Sequence, residues 1–225
     1  METIHLYMVA TVQYCTVVSR QTLTPDDWAF AALRAIASGG VAAVSIEALA
    51  RELGATRGSF YWHFPHRDAV LVAALELWER RATEAFIEQA QAEPDPRERL
   101  RALIRAAIEV DPVPGLEPSL TANAGHPAVA PVLRRVTARR IDYLARCYAE
   151  LGATRAVARR RAVVTYAAYL GWLDLQQIAA DDVPEVAPSG RVAANALDHL
   201  VDQLTDQLTP PRPTPSPSPT PNPRP

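Results

Sequence analysis

Apolar residues recur three and four positions apart through most of this chain, and the runs break at glycine and proline. In Ser45 to Phe64, SIEALARELGATRGSFYWHF, the residues Ile46, Leu49, Ala50 and Leu53 take the i, i+3, i+4, i+7 places of one helix face. Ser45 suits the N-cap, where a hydroxyl accepts from a first-turn amide, and Glu47 complements the positive end of the helix dipole. Gly54 stops that helix. Thr56 caps a second, short helix after a turn of about three residues, the spacing of a helix-turn-helix.

The same pattern predicts the other elements. Thr24-Pro25-Asp26-Asp27 opens a helix to about Ser38, with Trp28, Ala32, Ala35 and Ile36 inward and Gly39-Gly40 at its end. Pro65 ends the short helix. A long helix follows from His66 or Arg67 to about Ala92, with Leu71, Leu75, Trp78, Ala82 and Ala85 or Phe86 on its inner stripe. Further helices are expected over 95–110, from 117 or 119 to 124, and over 128–151, 154–179 and 191–208. The fold class is therefore all-α. Residues 1–20 would suit a strand but have no partner strand, so they are expected to form a disordered or loosely packed extension, with a natural start downstream near Met8 or Val17 as the sharper reading. Thr209 to Pro225, with nine prolines in seventeen residues, is expected to be a solvated tail.

Composition narrows the function. The 225 residues carry a formal charge of −2, and all 23 basic residues are arginine. Six arginines face seven acids between Arg20 and Arg80, so any grip on nucleic acid must come from a few positioned groups. The arginines at 134, 135, 139, 140 and 146 are expected to form a solvated face partly paired with Asp142 and Glu150, a second nucleic-acid site being the other reading. Two distant cysteines, Cys15 and Cys147, fit a reducing cytoplasm, and no run is long enough to cross a membrane. No catalytic motif, cofactor-binding motif or metal-ligand spacing is present, so an enzyme is not expected; His63 and His66 are read as a phosphate contact and a helix cap.

The short helix points to DNA. Arg57, Ser59, Tyr61, Trp62 and His63 crowd hydrogen-bonding and aromatic groups onto one or two turns, while Phe60 and Phe64 supply a buried side. Such a helix fits the major groove, with Arg57 and Ser59 near base edges, Tyr61 and His63 on phosphates, and Gly58 allowing close backbone approach. Gly39-Gly40, Ser45, Leu53-Gly54-Ala55-Thr56, Phe60-Tyr61-Trp62-His63-Phe64 and Arg67-Asp68 together span about fifty residues in which the chain resembles the N-terminal domain of TetR-type, tetracycline-repressor-like transcriptional regulators.

That resemblance implies a three-helix DNA-binding domain over 21–66 and a larger helical ligand-binding and dimerisation domain over 67–208. It places Ser45, Thr56, Arg57, Gly58, Ser59, Tyr61, Trp62, His63 and Arg67 at double-stranded DNA, Arg67 gripping a phosphate or else pairing with Asp68 or Glu52. It implies a homodimer through the last two long helices on a palindromic operator, and a repressor released when a small-molecule effector binds the C-terminal domain. Trp78, Phe86, Asn123, His126, Tyr143, Tyr166, Tyr169 and Trp172 are the candidate ligand-lining residues, each equally readable as core. The alternative is a ligand-binding or scaffolding helical dimer without specific DNA reading.

Overall fold

The computed structural model describes residues 23–109, 113–179, 181 and 202. All regular structure in them is helical. The expectations for residues 1–20, for a helix over 191–208 and for the proline-rich tail lie outside the described residues.

Helix α1, Pro25–Gly39, starts where local chemistry demands. The Thr24 hydroxyl accepts from the Asp27 amide at 3.3 Å, and the Asp27 carboxylate accepts from the Thr24 amide at 2.7 Å, a reciprocal capping box. Gly40, at φ +68°, ends the helix in a conformation that a side chain would resist. One 3-10 turn, Val41–Ala43, precedes α2, Ile46–Glu52, which Ser45 caps by accepting from the Ala48 amide at 3.2 Å. Gly54, at φ +60°, makes the reversal, and Thr56 caps α3, Arg57–Tyr61, by accepting from the Ser59 amide at 3.1 Å.

The expected single helix to Ala92 is instead a rod in three parts. Helix α4, Arg67–Glu79, passes through a π turn, Arg80–Glu84, into α5, Ala85–Gln91. No glycine or proline marks the turn. The Ala82 carbonyl within it accepts a long-range bond from Arg140 at 2.9 Å, so the wider winding leaves that group satisfied. Helices α6, Pro96–Glu109, α7, Leu116–Ala122, α8, Val129–Glu150, and α9, Arg155–Ile178, follow.

Two apolar cores hold these helices. The first gathers Trp28, Ile36, Leu49, Phe60, Leu71 and Leu75 with Leu116, Leu120, Val129 and Val136. It therefore crosses position 66 and joins α1–α3 to α4, α7 and the start of α8. The second packs Ile87, Leu100, Ile104, Leu144, Tyr148, Ala162 and Tyr166 between α5, α6, α8 and α9.

Candidate functional site

Helix α3 is too short to be helical alone, so its exposed face is set by what lies beneath it. Phe60 is fully buried and meets the Trp28 ring edge-on at 5.3 Å and the Phe64 ring at 5.7 Å. With that side anchored, Arg57, Gly58, Tyr61 and Trp62 are presented to solvent, Trp62 at 88 % and Tyr61 at 51 % exposure. Ser59 and His63 are half-buried, and Ser45 and Thr56 act as the caps described. A Cβ on Gly58 would meet only the Thr56 hydroxyl, at an ordinary 3.6 Å. The chain's own packing does not require glycine there.

Arg57 lies 3.3 Å from Glu47 of α2, an exposed pair. Arg67, expected to grip a phosphate or to pair with Asp68 or Glu52, pairs with Asp68 and also holds two backbone carbonyls. Its Nε donates to the Val44 carbonyl at 2.7 Å and its Nη2 to the Val41 carbonyl at 2.5 Å, with Nη1 3.2 Å from Asp68. These bonds fix the start of α4 to the segment before α2, so Arg67 positions the helix-turn-helix. His66 caps α4 through Nδ1, accepting from the Ala69 amide.

A second site lies between the π turn, α6, α7, α8 and α9. A cavity of about 110 Å³ is lined by Trp78, Phe86, Tyr143, Tyr166 and Tyr169 of the expected ligand set, with Ile87, Leu103, Ile104, Ala107, Ile108, Leu116, Leu144 and Leu173. Three expected lining residues are elsewhere. Asn123 donates to the Ser119 carbonyl at 2.8 Å and sits against Gly40; His126 accepts from the Ala128 amide at the head of α8; Trp172 packs on the outside of the second core. The first two terminate or start helices, which is why polar residues stand there.

The polar floor of the cavity, Glu117 and Arg140, was not anticipated. Arg140 does not lie on the expected solvated face: its side chain is only 12 % exposed, and it donates through Nη1 to Glu117 at 2.5 Å, through Nε to the Thr83 hydroxyl at 3.0 Å and through Nη2 to the Ala82 carbonyl. Its guanidinium stands 5.4 Å from the Trp78 ring centre and 5.9 Å from that of Tyr169. Glu117 also accepts from Tyr169 at 2.9 Å and Tyr166 at 3.4 Å. Burial alone would push the Arg140 guanidinium down, but Glu117 and the tyrosines hold it above its ordinary value. A signal existed: Val136, Arg140, Tyr143 and Cys147 share one helical stripe, with arginine in the apolar series. Arg135 and Arg139 of that face pair with Glu79 and Glu84 rather than with the expected Asp142 and Glu150, which pair instead with Arg159 and Arg99.

Burial raises the Tyr143, Tyr148, Tyr166 and Tyr169 phenols and pushes the Cys147 thiol up to about 11. A group whose folded value exceeds its unfolded one stabilises the fold fully below the unfolded value, and that stability is lost as pH rises through the folded one. Urea-unfolding midpoints should hold level up to about pH 9, the ordinary value of the thiol, and fall as the pH approaches about 11. A midpoint that climbs across this window would contradict the burial of these groups.

Among the described residues no group of three His, Cys, Asp or Glu could hold a metal ion, and no helix is long and apolar enough to cross a membrane. Residues 31–74 match the family model for bacterial regulatory proteins of the tetR family. No curated protein sequence matches the chain. Among solved structures it is similar to a transcriptional regulator from Rhodococcus sp. Rha1, at TM-score 0.66 and 19 % identity over 83 % of this chain and 96 % of that one. It is also similar to FadR from Bacillus subtilis in complex with stearoyl-CoA, at 0.62 and 12 % over 81 % and 98 %, and to AibR in complex with isovaleryl coenzyme A and operator DNA, at 0.57 and 20 % over 80 % and 97 %. At these identities the likeness is one of fold.

Proposed function

We propose that this chain, whose residues 31–74 match the family model for bacterial regulatory proteins of the tetR family, is a DNA-binding transcriptional regulator, a repressor which leaves a palindromic operator when a small molecule enters the cavity. The observation that carries this reading is that the cavity is walled by the same two helices that hold the DNA-reading domain. Trp78 belongs to α4, whose Leu71 and Leu75 share the core of Trp28 and Phe60. Leu116 and Glu117 belong to α7, whose Ser119 hydroxyl donates to the Ile36 carbonyl of α1 at 2.6 Å. A ligand that fits one arrangement of α4 and α7 better than another shifts the reading head by that difference in affinity. FadR and AibR, similar in fold, are solved in complex with stearoyl-CoA and with isovaleryl coenzyme A and operator DNA, which supports a small-molecule ligand for this chain.

Two reading heads are needed because each is weak. Arg34 pairs with Glu52 and Arg57 with Glu47, so neither adds net charge to the DNA-reading domain. The second copy is proposed to cover α9 together with residues 191–208. On α9 the residues Val164, Ala167, Gly171, Leu175 and Ile178 form an exposed apolar stripe, with Ile178 at 78 % exposure.

Arg57 and Ser59 are assigned to base edges, Tyr61, Trp62 and His63 to the backbone around them, and Gly58 to close approach. Selecting fragments of the host genome tests this. A recurrent palindrome is expected, and Arg57→Ala should relax preference at its base by roughly 1–3 kcal/mol while Tyr61→Ala weakens all sites alike. Glu47→Gln, which releases Arg57 and removes an acid facing DNA, should tighten binding most at low salt. The near-neutral charge favours a second reading, a scaffolding dimer that does not read DNA; it gains if no sequence is enriched even at low salt.

A further inference from the structure

We infer that the group occupying the cavity is uncharged and largely apolar, because the cavity's two charges already neutralise each other and are hydrogen-bonded to the protein. This rests on the reading of the cavity as the effector site and names the class of effector it selects.

A ligand carboxylate would have to reach Arg140. That guanidinium already serves Glu117, the Thr83 hydroxyl and the Ala82 carbonyl, one through each of its nitrogens, so a carboxylate would meet a charge that Glu117 has already neutralised and no open two-pronged fork. Displacing Glu117 would strand a carboxylate that is only 7 % exposed. A ligand ammonium would instead seek Glu117 and the aromatic faces, the usual recognition of such cations. Both places are taken: Arg140 stands over Trp78 and Tyr169, and both Glu117 oxygens accept bonds. The protein thus supplies its own cation and its own anion, and the floor is neutral. An entering ion would bring a net charge into a site whose walls are mostly apolar, among them Leu103, Ile104, Ala107, Ile108, Leu144 and Leu173. An uncharged group loses nothing by comparison and gains the burial of its apolar surface. The volume suits about one ring or a short branched chain, on the scale of apolar cavities that hold benzene.

The test uses three probes of one shape: pentanamide, pentanoate and pentanamidinium, each followed by the thermal-unfolding midpoint of the full chain at neutral pH. Pentanamide should raise the midpoint, and each ion should bind roughly ten-fold or more weakly. Either ion binding as tightly as pentanamide overturns the inference. If none of the three binds, the reading of the cavity as an effector site fails and the inference falls with it. Ala107→Trp, which fills the cavity from α6, should abolish the pentanamide shift; a shift that persists places the probe elsewhere and overturns the assignment. Glu117→Gln leaves the shape of the floor but exposes the charge of Arg140, so pentanoate should gain roughly ten-fold on pentanamide. An unchanged preference in a folded Glu117→Gln chain would show that the pair does not govern selection, and if that variant does not fold the three probes on the natural chain decide.

Discussion

Replacing Arg140 by methionine should cost the fold about 3–5 kcal/mol, the usual penalty for removing one partner of a buried ion pair. The methionine fills most of the space, so the loss comes from what is left behind. Glu117 would keep only its bonds from Tyr166 and Tyr169 amid apolar walls, and the Thr83 hydroxyl and Ala82 carbonyl would lose their long-range donor. Adding Glu117→Leu should return most of the stability, because replacing both ions by apolar groups is often neutral or favourable. The remainder would measure what Thr83 and Ala82 lose. Urea unfolding of the natural chain, both single variants and the double variant gives the coupling directly. A single-variant loss under about 1 kcal/mol, or a double variant worse than either single, would refute the account of this pair as mutually dependent.

Phe60→Ala should cost about 3–5 kcal/mol, as truncation of a buried aromatic does, and should remove operator binding altogether. The two effects have one cause. Phe60 is the contact by which a five-residue helix is held against Trp28 and Phe64, and without it Arg57, Tyr61 and Trp62 lose their common orientation. Arg57→Ala, by contrast, should leave stability almost unchanged, since its pair with Glu47 is exposed. Denaturation and DNA-binding titrations on both variants separate holding the reading surface from being part of it. A Phe60→Ala chain that unfolds like the natural one would sink this view.

The amino-terminal helices were legible in the sequence because their boundaries are local events. Thr24, Ser45 and Thr56 each cap within three residues, and Gly40 and Gly54 each take a positive φ at the break. A helix-sized window contains everything such a boundary needs. The pairing of Arg67 with its neighbour Asp68 was legible, but its carbonyl partners and the whole setting of Arg140 were not, because those partners are distant in the chain. Arg67 reaches back 23 and 26 positions to carbonyls, and Arg140 reaches 57 and 58 positions to the π turn. Periodicity sorts residues into inner and outer faces but does not say that an inward arginine will find a carboxylate. Asn123 and His126 failed for the complementary reason: as polar residues near helix ends they look like ligand contacts, while their bonds are to the backbone beside them. The π turn left no composition signal, since its satisfaction comes from another helix.

Helix α4 also has a length, and length converts angle into distance. Its thirteen residues span about 20 Å, with Trp78 at the cavity and Arg67 at the far end bonded into the segment before α2. A tilt of about 5° pivoted at Trp78 carries Arg67, about 16 Å away, through about 1.4 Å, more than a hydrogen bond can stretch and survive. In the proposed dimer the displacements add across the pair of reading heads. The spacing between two grips on DNA can therefore be spoiled by a change at the cavity no larger than the width of a methyl group.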